Sequence, residues 1–269
     1  MGKEIKSYES LLVEEIEPQV GLVTLNRPER LNAINPRMVE DLEDLLTFLS
    51  KDDTLRVIIL TGQGRGFCSG ADLTEAGRSQ EREALKDPES FLRLVQERYS
   101  NVVLGMRGIP QPIIAAVNGP AAGGGMAIAL GADMRLVSPE AYFVASFINI
   151  GLSGGEMGSS YLLPRLIGLS RASEILLTGR KVSAHEAERM GLVSKVVDRE
   201  KLLDEALTYA RMMINKSVGG LKLTKRVLEQ NLETASLAAA LNLENRNQTI
   251  MLFSGPFQGL IESFSKKGQ

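Results

Sequence analysis

Glu156 is the first residue to weigh, a carboxylate set among glycines and apolar neighbours in Gly154-Gly155-Glu156-Met157-Gly158-Ser159-Ser160-Tyr161. A carboxylate so placed suits proton transfer, taking a proton from one carbon and returning it to another. Competing chemistries lack their parts. The chain has one histidine, His185, and one cysteine, Cys68, so neither a multi-histidine zinc site nor a serine–histidine–aspartate relay is readily assembled. No metal site is expected. His185 falls early in an amphipathic segment and reads as solvent-facing, while Cys68 reads as a packing residue rather than a nucleophile. The plainer reading of Glu156 is a helix N-cap, or an acid in the first turn of a helix from Met157.

Two further glycine-rich stretches bear on where such a proton transfer would occur. The stretch Gly62-Gln63-Gly64-Arg65-Gly66-Phe67-Cys68-Ser69-Gly70-Ala71-Asp72-Leu73 has no Gly-Lys-Ser/Thr closure, so it is not a P-loop. Phe67 stands where the third glycine of a dinucleotide fingerprint belongs. The other stretch, Asn118 to Ala127, runs into an expected helix N-terminus, where unpaired amides favour an anion or a developing oxyanion. Two such loops side by side would supply two donors to one oxygen, as an oxyanion hole does for a thioester carbonyl turning into an enolate.

The elements that must position these loops are legible from periodicity. Alternating residues predict an antiparallel pair at Leu11–Ile16 and Val20–Leu25, the second ending before Pro28. Met38, Leu42, Leu45, Leu46 and Leu49 predict a helix from Pro36, and Arg56–Thr61 and Pro112–Val117 predict buried parallel strands. Arg78–Leu92 reads as an exposed loop or fraying helix ahead of a helix over Leu92–Met106. Short strands are expected at Met134–Val137 and Tyr142–Val144. Beyond Pro164 the composition turns helical, at Arg171–Leu177, Ala184–Met190, Leu202–Ile214 and Leu237–Ser254. The expected class is α/β with a helical C-terminal region that serves as a lid or an oligomerisation layer.

The 269 residues fit one large domain, or one with a small appendage. A net charge of −2 gives no overall attraction to nucleic acid, and the lone cysteine excludes an intrachain disulfide framework. A reducing, cytoplasmic setting is the expectation. The N-terminal segment lacks the apolar core and cleavage site of a signal peptide, and no window of roughly 18 apolar residues offers a membrane span.

Over nearly its whole length the sequence resembles the crotonase, or enoyl-CoA hydratase/isomerase, superfamily. The resemblance rests on Val23-Thr24-Leu25-Asn26-Arg27-Pro28 with Leu31-Asn32-Ala33, on Gly66 to Leu73, and on Ala115-Ala116-Val117-Asn118-Gly119 with Gly123-Gly124-Gly125. It continues through Pro164-Arg165-Leu166-Ile167-Gly168, Leu177-Thr178-Gly179 and Ala184–Val193. It implies a spiral of β-β-α turns over residues 1–200 that binds an acyl-CoA thioester. It also implies a helical region over 201–269 that completes the site and the interface of a trimer or dimer of trimers. The amides of Ser69 and Gly124 would form the oxyanion hole, and Gly70, Ala71, Asp72, Leu73, Gly123 and Phe147 would line the acyl-CoA site. Arg27 and Arg30 are candidate partners for the CoA phosphates, as are Lys266 and Lys267, and solvated surface charge is an equally good reading of all four. No cofactor is implied beyond the coenzyme A that the substrate carries.

Departures from the family pattern sharpen the expectation. Hydratases of the family carry one glutamate three residues after the oxyanion-hole glycine and another four residues after the Phe of Phe-x-x-Pro-Glu. Ala127 and Phe147 occupy those positions, and neither moves a proton. Glu156 instead resembles the single glutamate of the Δ3,Δ2-enoyl-CoA isomerases, at a place where dienoyl-CoA isomerases and aryl-CoA dehalogenases keep an Asp. The resemblance therefore implies double-bond isomerisation. The alternatives are hydration by Glu156 alone and a non-catalytic acyl-CoA-binding role.

Overall fold

After an N-terminal hairpin of β1 (Lys3–Ser7) and β2 (Leu11–Glu17), the chain winds in turns that each lay down a strand, a shorter extended segment and a helix. The computed structural model describes residues 2–74, 87–259 and 261. The first turn runs from β3 (Val20–Leu25) past Ile34 to α1 (Pro36–Lys51). The second runs from β4 (Val57–Gly62) through Cys68–Ala71 to α2 (Pro88–Phe91), a π turn over Leu92–Gln96, and α3 (Glu97–Gly108). In the third, β5 (Ile113–Val117) leads to β6 (Ala121–Ala122) and α4 (Gly124–Gly131). In the fourth, β7 (Met134–Val137) leads to β8 (Tyr142–Val144) and α5 (Ser159–Ile167). The helices α6 (Leu169–Thr178) and α7 (Ala184–Arg189) flank β9 (Val182–Ser183), and β10 (Lys195–Val196) precedes α8 (Leu202–Ile214), α9 (Val218–Asn231) and α10 (Leu237–Leu252).

The long strands and the short β10 form one sheet in the order β1-β2-β3-β4-β5-β7-β10, antiparallel through β3 and parallel beyond it. The short segments form a second layer. Ile34 pairs with Ala71, Cys68 pairs with Ala121, and β6 runs parallel to β8, which pairs antiparallel with β9. This second layer holds the glycine-rich loops next to one another.

Period-two alternation explains the two-sided core. Ile58 and Leu60 of β4 pack with α1 residues Met38, Leu42, Leu45 and Leu49, whereas Val57 and Ile59 face α8 residues Leu202, Ala206 and Ala210. Helix α1 starts where the sequence allows: the Asn35 side chain accepts from the Met38 N–H at 2.9 Å, and Pro36 fills a first-turn position that needs no donor.

The pair expected at Leu11–Ile16 and Val20–Leu25 forms as β2 and β3, and both expected parallel strands are present. Edge strand β1 has no sequence signal, because Lys-Glu-Ile-Lys-Ser is mostly charged and little of it is buried. Helix α5 runs through Pro164 and stops at Gly168, so the helical region starts earlier than composition indicates. Helix α9 also escapes the pattern, because it buries little beyond Lys225. Most of the loop expected at Arg78–Leu92, and Lys266 and Lys267, lie outside the described residues. No helix among the described residues is long and apolar enough to cross a membrane.

Candidate active site

A cavity of about 370 Å³ lies between the second-layer loops and the start of α3. Phe91, Val95, Tyr99, Phe147, Ile150 and Met157 give it apolar walls, and Ser69, Ala71, Gly124 and Glu156 bring polar atoms to it. The cavity thus joins all three glycine-rich stretches singled out in the sequence.

Loop contacts determine which amides are available. The Ser69 N–H donates to the Leu31 carbonyl at 3.0 Å, so the expected Ser69 donor is already engaged. The same ladder frees its neighbour: Ile34 N–H donates to Gly70 O and Asp72 N–H donates to Ile34 O, both at 2.8 Å. In a parallel bridge of that register the Ala71 amide faces away from Ile34, and it finds no acceptor among the described residues. Gly124 is the first residue of α4, so its N–H has no intrahelical acceptor. The two loops touch. A Cβ on Gly70, which has φ 92°, would lie 2.8 Å from Ala122 O and 3.4 Å from Gly124 N. One on Gly125 would lie 2.1 Å from Cys68 O. Only glycine permits that approach. Among the described residues the unengaged amides at this end of the cavity are therefore those of Ala71 and Gly124, while that of Ser69 is held by Leu31.

Glu156 is half-buried opposite these amides and caps no helix. Helix α5 begins at Ser159 after Gly158, which is left-handed and provides no side-chain cap. A turn fixes the Glu156 backbone: its N–H donates to Ser159 Oγ at 3.0 Å and its carbonyl accepts from Ser159 N at 2.9 Å. Met157 is held at φ 48°, unusual for a non-glycine, and its sulfur packs beside Gly124. The Glu156 carboxylate accepts a hydrogen bond from Gln96 Nε2.

Residues 15–269 match the family model for enoyl-CoA hydratase/isomerase. The chain belongs to this family. It is 50% identical over 238 residues to a probable enoyl-CoA hydratase of Mycobacterium bovis, covering 88% of this chain and 83% of that one. A probable enoyl-CoA hydratase/isomerase from Mycobacterium abscessus has a similar structure, with TM-score 0.85, 41% identity and 96% of each chain covered. A monofunctional enoyl-CoA isomerase from M. smegmatis is 44% identical with TM-score 0.73, over 86% of this chain and 98% of that one. The fold is the crotonase fold, and this family member is an enzyme.

Neither position at which the resemblance expects a hydratase glutamate carries a carboxylate. Ala127 is fully buried in α4, and the Phe147 ring is a buried cavity wall. The enzyme's other cavity-lining carboxylate, Asp72, is buried and bound to Arg27 Nη1 at 3.0 Å and Thr74 Oγ1 at 2.7 Å. Burial pushes the Asp72 carboxyl up, but the hydrogen bonds from Thr74 and Arg27 outweigh it and hold the group below its ordinary range. Arg27 also donates to Ala33 O at 2.6 Å, so it braces the loop from behind. Arg30 is exposed, as is Leu73 at the cavity mouth. Gly123 lines the cavity next to Gly124. Burial pushes the Cys68 thiol up to about 12, consistent with packing rather than attack, and His185 is exposed.

Sequence reasoning missed three polar residues of the site and its support. Asn32 Nδ2 donates to Gln63 O, Gly66 O and Phe67 O at 2.9 to 3.1 Å. Asn118 Nδ2 donates to Gly62 O and Gly64 O at 2.8 and 3.0 Å. These two amides pin the glycine loop, and both stand in motifs of the family resemblance that gave them no role. Gln96 had no signal, because it lies five residues from Phe91 in a segment read as an ordinary helix.

Proposed function

We propose that this enzyme isomerises the double bond of an enoyl-CoA. The Ala71 and Gly124 amides hold the thioester oxygen as charge develops on it, and Glu156 removes a proton from the α-carbon. The electron pair delocalises into a dienolate, the double bond shifts, and Glu156 returns the proton at the γ-carbon. Two amide donors aimed at the developing charge act most strongly in an apolar cavity of this kind. The observation that carries this reading is that Glu156 is half-buried at the cavity, whereas Asp72 is tied to Arg27 and the two hydratase positions are Ala127 and Phe147. Arg27 and Arg30 are the described candidates to meet the CoA phosphates. The C-terminal helices would assemble the enzyme as a trimer or dimer of trimers, in the cytoplasm.

Hydration by Glu156 alone is the second reading, favoured by the hydratase name of the Mycobacterium bovis relative. Glu156→Gln separates catalysis from binding: isomerisation of a 3-enoyl-CoA should fall by about 10²–10⁴-fold while acyl-CoA affinity stays within a few-fold. Undiminished turnover in that variant would overturn the role of Glu156. Incubating the wild type with a 2-enoyl-CoA distinguishes the two reactions, because a 3-hydroxyacyl-CoA product would establish hydration.

A further inference from the structure

We infer that Gln96 is a positioning residue for Glu156, delivered to the carboxylate by the π turn at Leu92–Gln96; this rests on the isomerase reading above. Gln96 belongs to the second turn of the spiral and Glu156 to the fourth, and the hydrogen bond from Gln96 Nε2 to Glu156 Oε1 joins two walls of the cavity. Among the described residues no other side chain donates to that carboxylate.

The helix geometry explains how the contact arises. On a regular α-helix two residues five apart are separated by roughly 140° around the axis, so Phe91 and Gln96 would not share a face. Here the Glu97 N–H reaches back to Leu92 O, a five-residue turn that widens the helix locally. As a result Phe91, Val95, Gln96 and Tyr99 all line one cavity. The apolar members wall the acyl site, and Gln96 adds a neutral amide that neither gives up nor takes a proton.

A neutral donor on one carboxylate oxygen fixes the plane of the carboxylate and leaves the other oxygen to reach the substrate. An isomerase that returns the same proton to a second carbon needs this restraint. A carboxylate free to swing exchanges its proton with water before delivering it. Gln96 therefore governs both the rate and the fate of the proton, with little part in holding the thioester.

The test uses the full-length enzyme and a 3-enoyl-CoA deuterated at the α-carbon. Gln96→Met keeps the side-chain volume and removes the donor. It should lower kcat by about tenfold to a hundredfold, the cost of misplacing a catalytic group by about an ångström, with KM within about twofold. The fraction of deuterium carried to the γ-carbon should fall relative to wild type. An unchanged kcat and deuterium fraction would overturn the inference, as would a loss appearing wholly in KM with the deuterium fraction intact. If Gln96→Met does not fold, Gln96→Glu preserves shape and polarity and substitutes a repelling charge. Loss of kcat and of deuterium transfer there supports the role, and retention of both refutes it. Glu156→Gln run in parallel keeps the two ideas separate. Full activity in Glu156→Gln removes the isomerase reading itself, whereas an inactive Glu156→Gln beside an unaffected Gln96 variant removes only the inference about Gln96.

Discussion

Two carboxylates line one cavity and meet opposite fates. Among the described residues the side chain that donates to the Glu156 carboxylate is the neutral amide of Gln96, whereas Asp72 is bound by a guanidinium and a hydroxyl. Asp72 is therefore an anchor, and its effect is on stability. Its folded carboxyl sits below the ordinary range, so its contribution is complete above the unfolded carboxylate pKa and is lost as pH falls through the folded one. Thermal melting measured from pH 7 downward should show a shallower acid limb for Asp72→Asn than for wild type. Arg27→Met strands the buried carboxylate and should cost about 3–5 kcal/mol at neutral pH, read by urea unfolding. Cys68 gives the converse case. A thiol raised to about 12 by burial stabilises the fold fully below the unfolded thiol pKa, and that contribution disappears as pH rises toward 12. Native enzyme at pH 8 should accordingly resist iodoacetamide that labels the urea-unfolded chain at once.

At the scale of elements, the site depends on how short extended segments are pinned. Asn32 holds three carbonyls of the glycine loop at φ 55°, a left-handed conformation that asparagine tolerates better than most residues. Asn32→Ala should cost about 3 kcal/mol in urea unfolding, because buried carbonyls lose their donor. It should also lower kcat more than it raises KM, because the loop that bears the Ala71 amide loosens. Gly70→Ala tests the adjoining contact and should have a similar kinetic signature, with the added Cβ driven against Ala122 O. These dependences show what the sequence made legible and what it withheld. Strands β3, β4 and β5 and helix α1 were readable because burial imposes period two or a helical stripe on residues such as Ile58, Leu60, Met38 and Leu42. The glycine-rich stretches were readable as tight turns, though composition alone fits a surface turn as well as a ligand loop, and the structure gathers them at one cavity. Which amide points into the cavity depends on the bridge between Ile34 and Ala71, a pairing of residues far apart in sequence that leaves no local pattern. The family resemblance pointed to Ser69, two residues away, whose amide is engaged by Leu31 O. The π turn was hidden for a related reason: one extra residue in a helical turn changes which side chains share a face without changing composition.

For the whole molecule, the C-terminal helices raise a question of packing. Helix α8 lies on the sheet, and Arg56 donates to Ile214 O and Lys216 O at 2.5 Å, so this part of the helical region is fastened to the core. Helices α9 and α10 are different. Lys225 and Asn247 are their only buried residues, while Leu228, Leu237, Leu241, Ile250 and Leu252 are exposed, and Phe253 just beyond α10 is 81% exposed. Helices of this length have little stability in water on their own and gain most of it by burying an apolar face. Apolar side chains gathered on two helices that their own chain barely covers therefore fit the proposed contact with further copies of the chain. Sedimentation equilibrium should give a mass three or six times that of the chain. Replacing Leu237 and Phe253 with Asp should shift the protein toward monomer and lower its melting temperature, since each newly exposed α10 helix loses the surface that supports it. A wild-type protein that stays monomeric at all concentrations tested would remove the assembly and require these helices to be stabilised within a single chain.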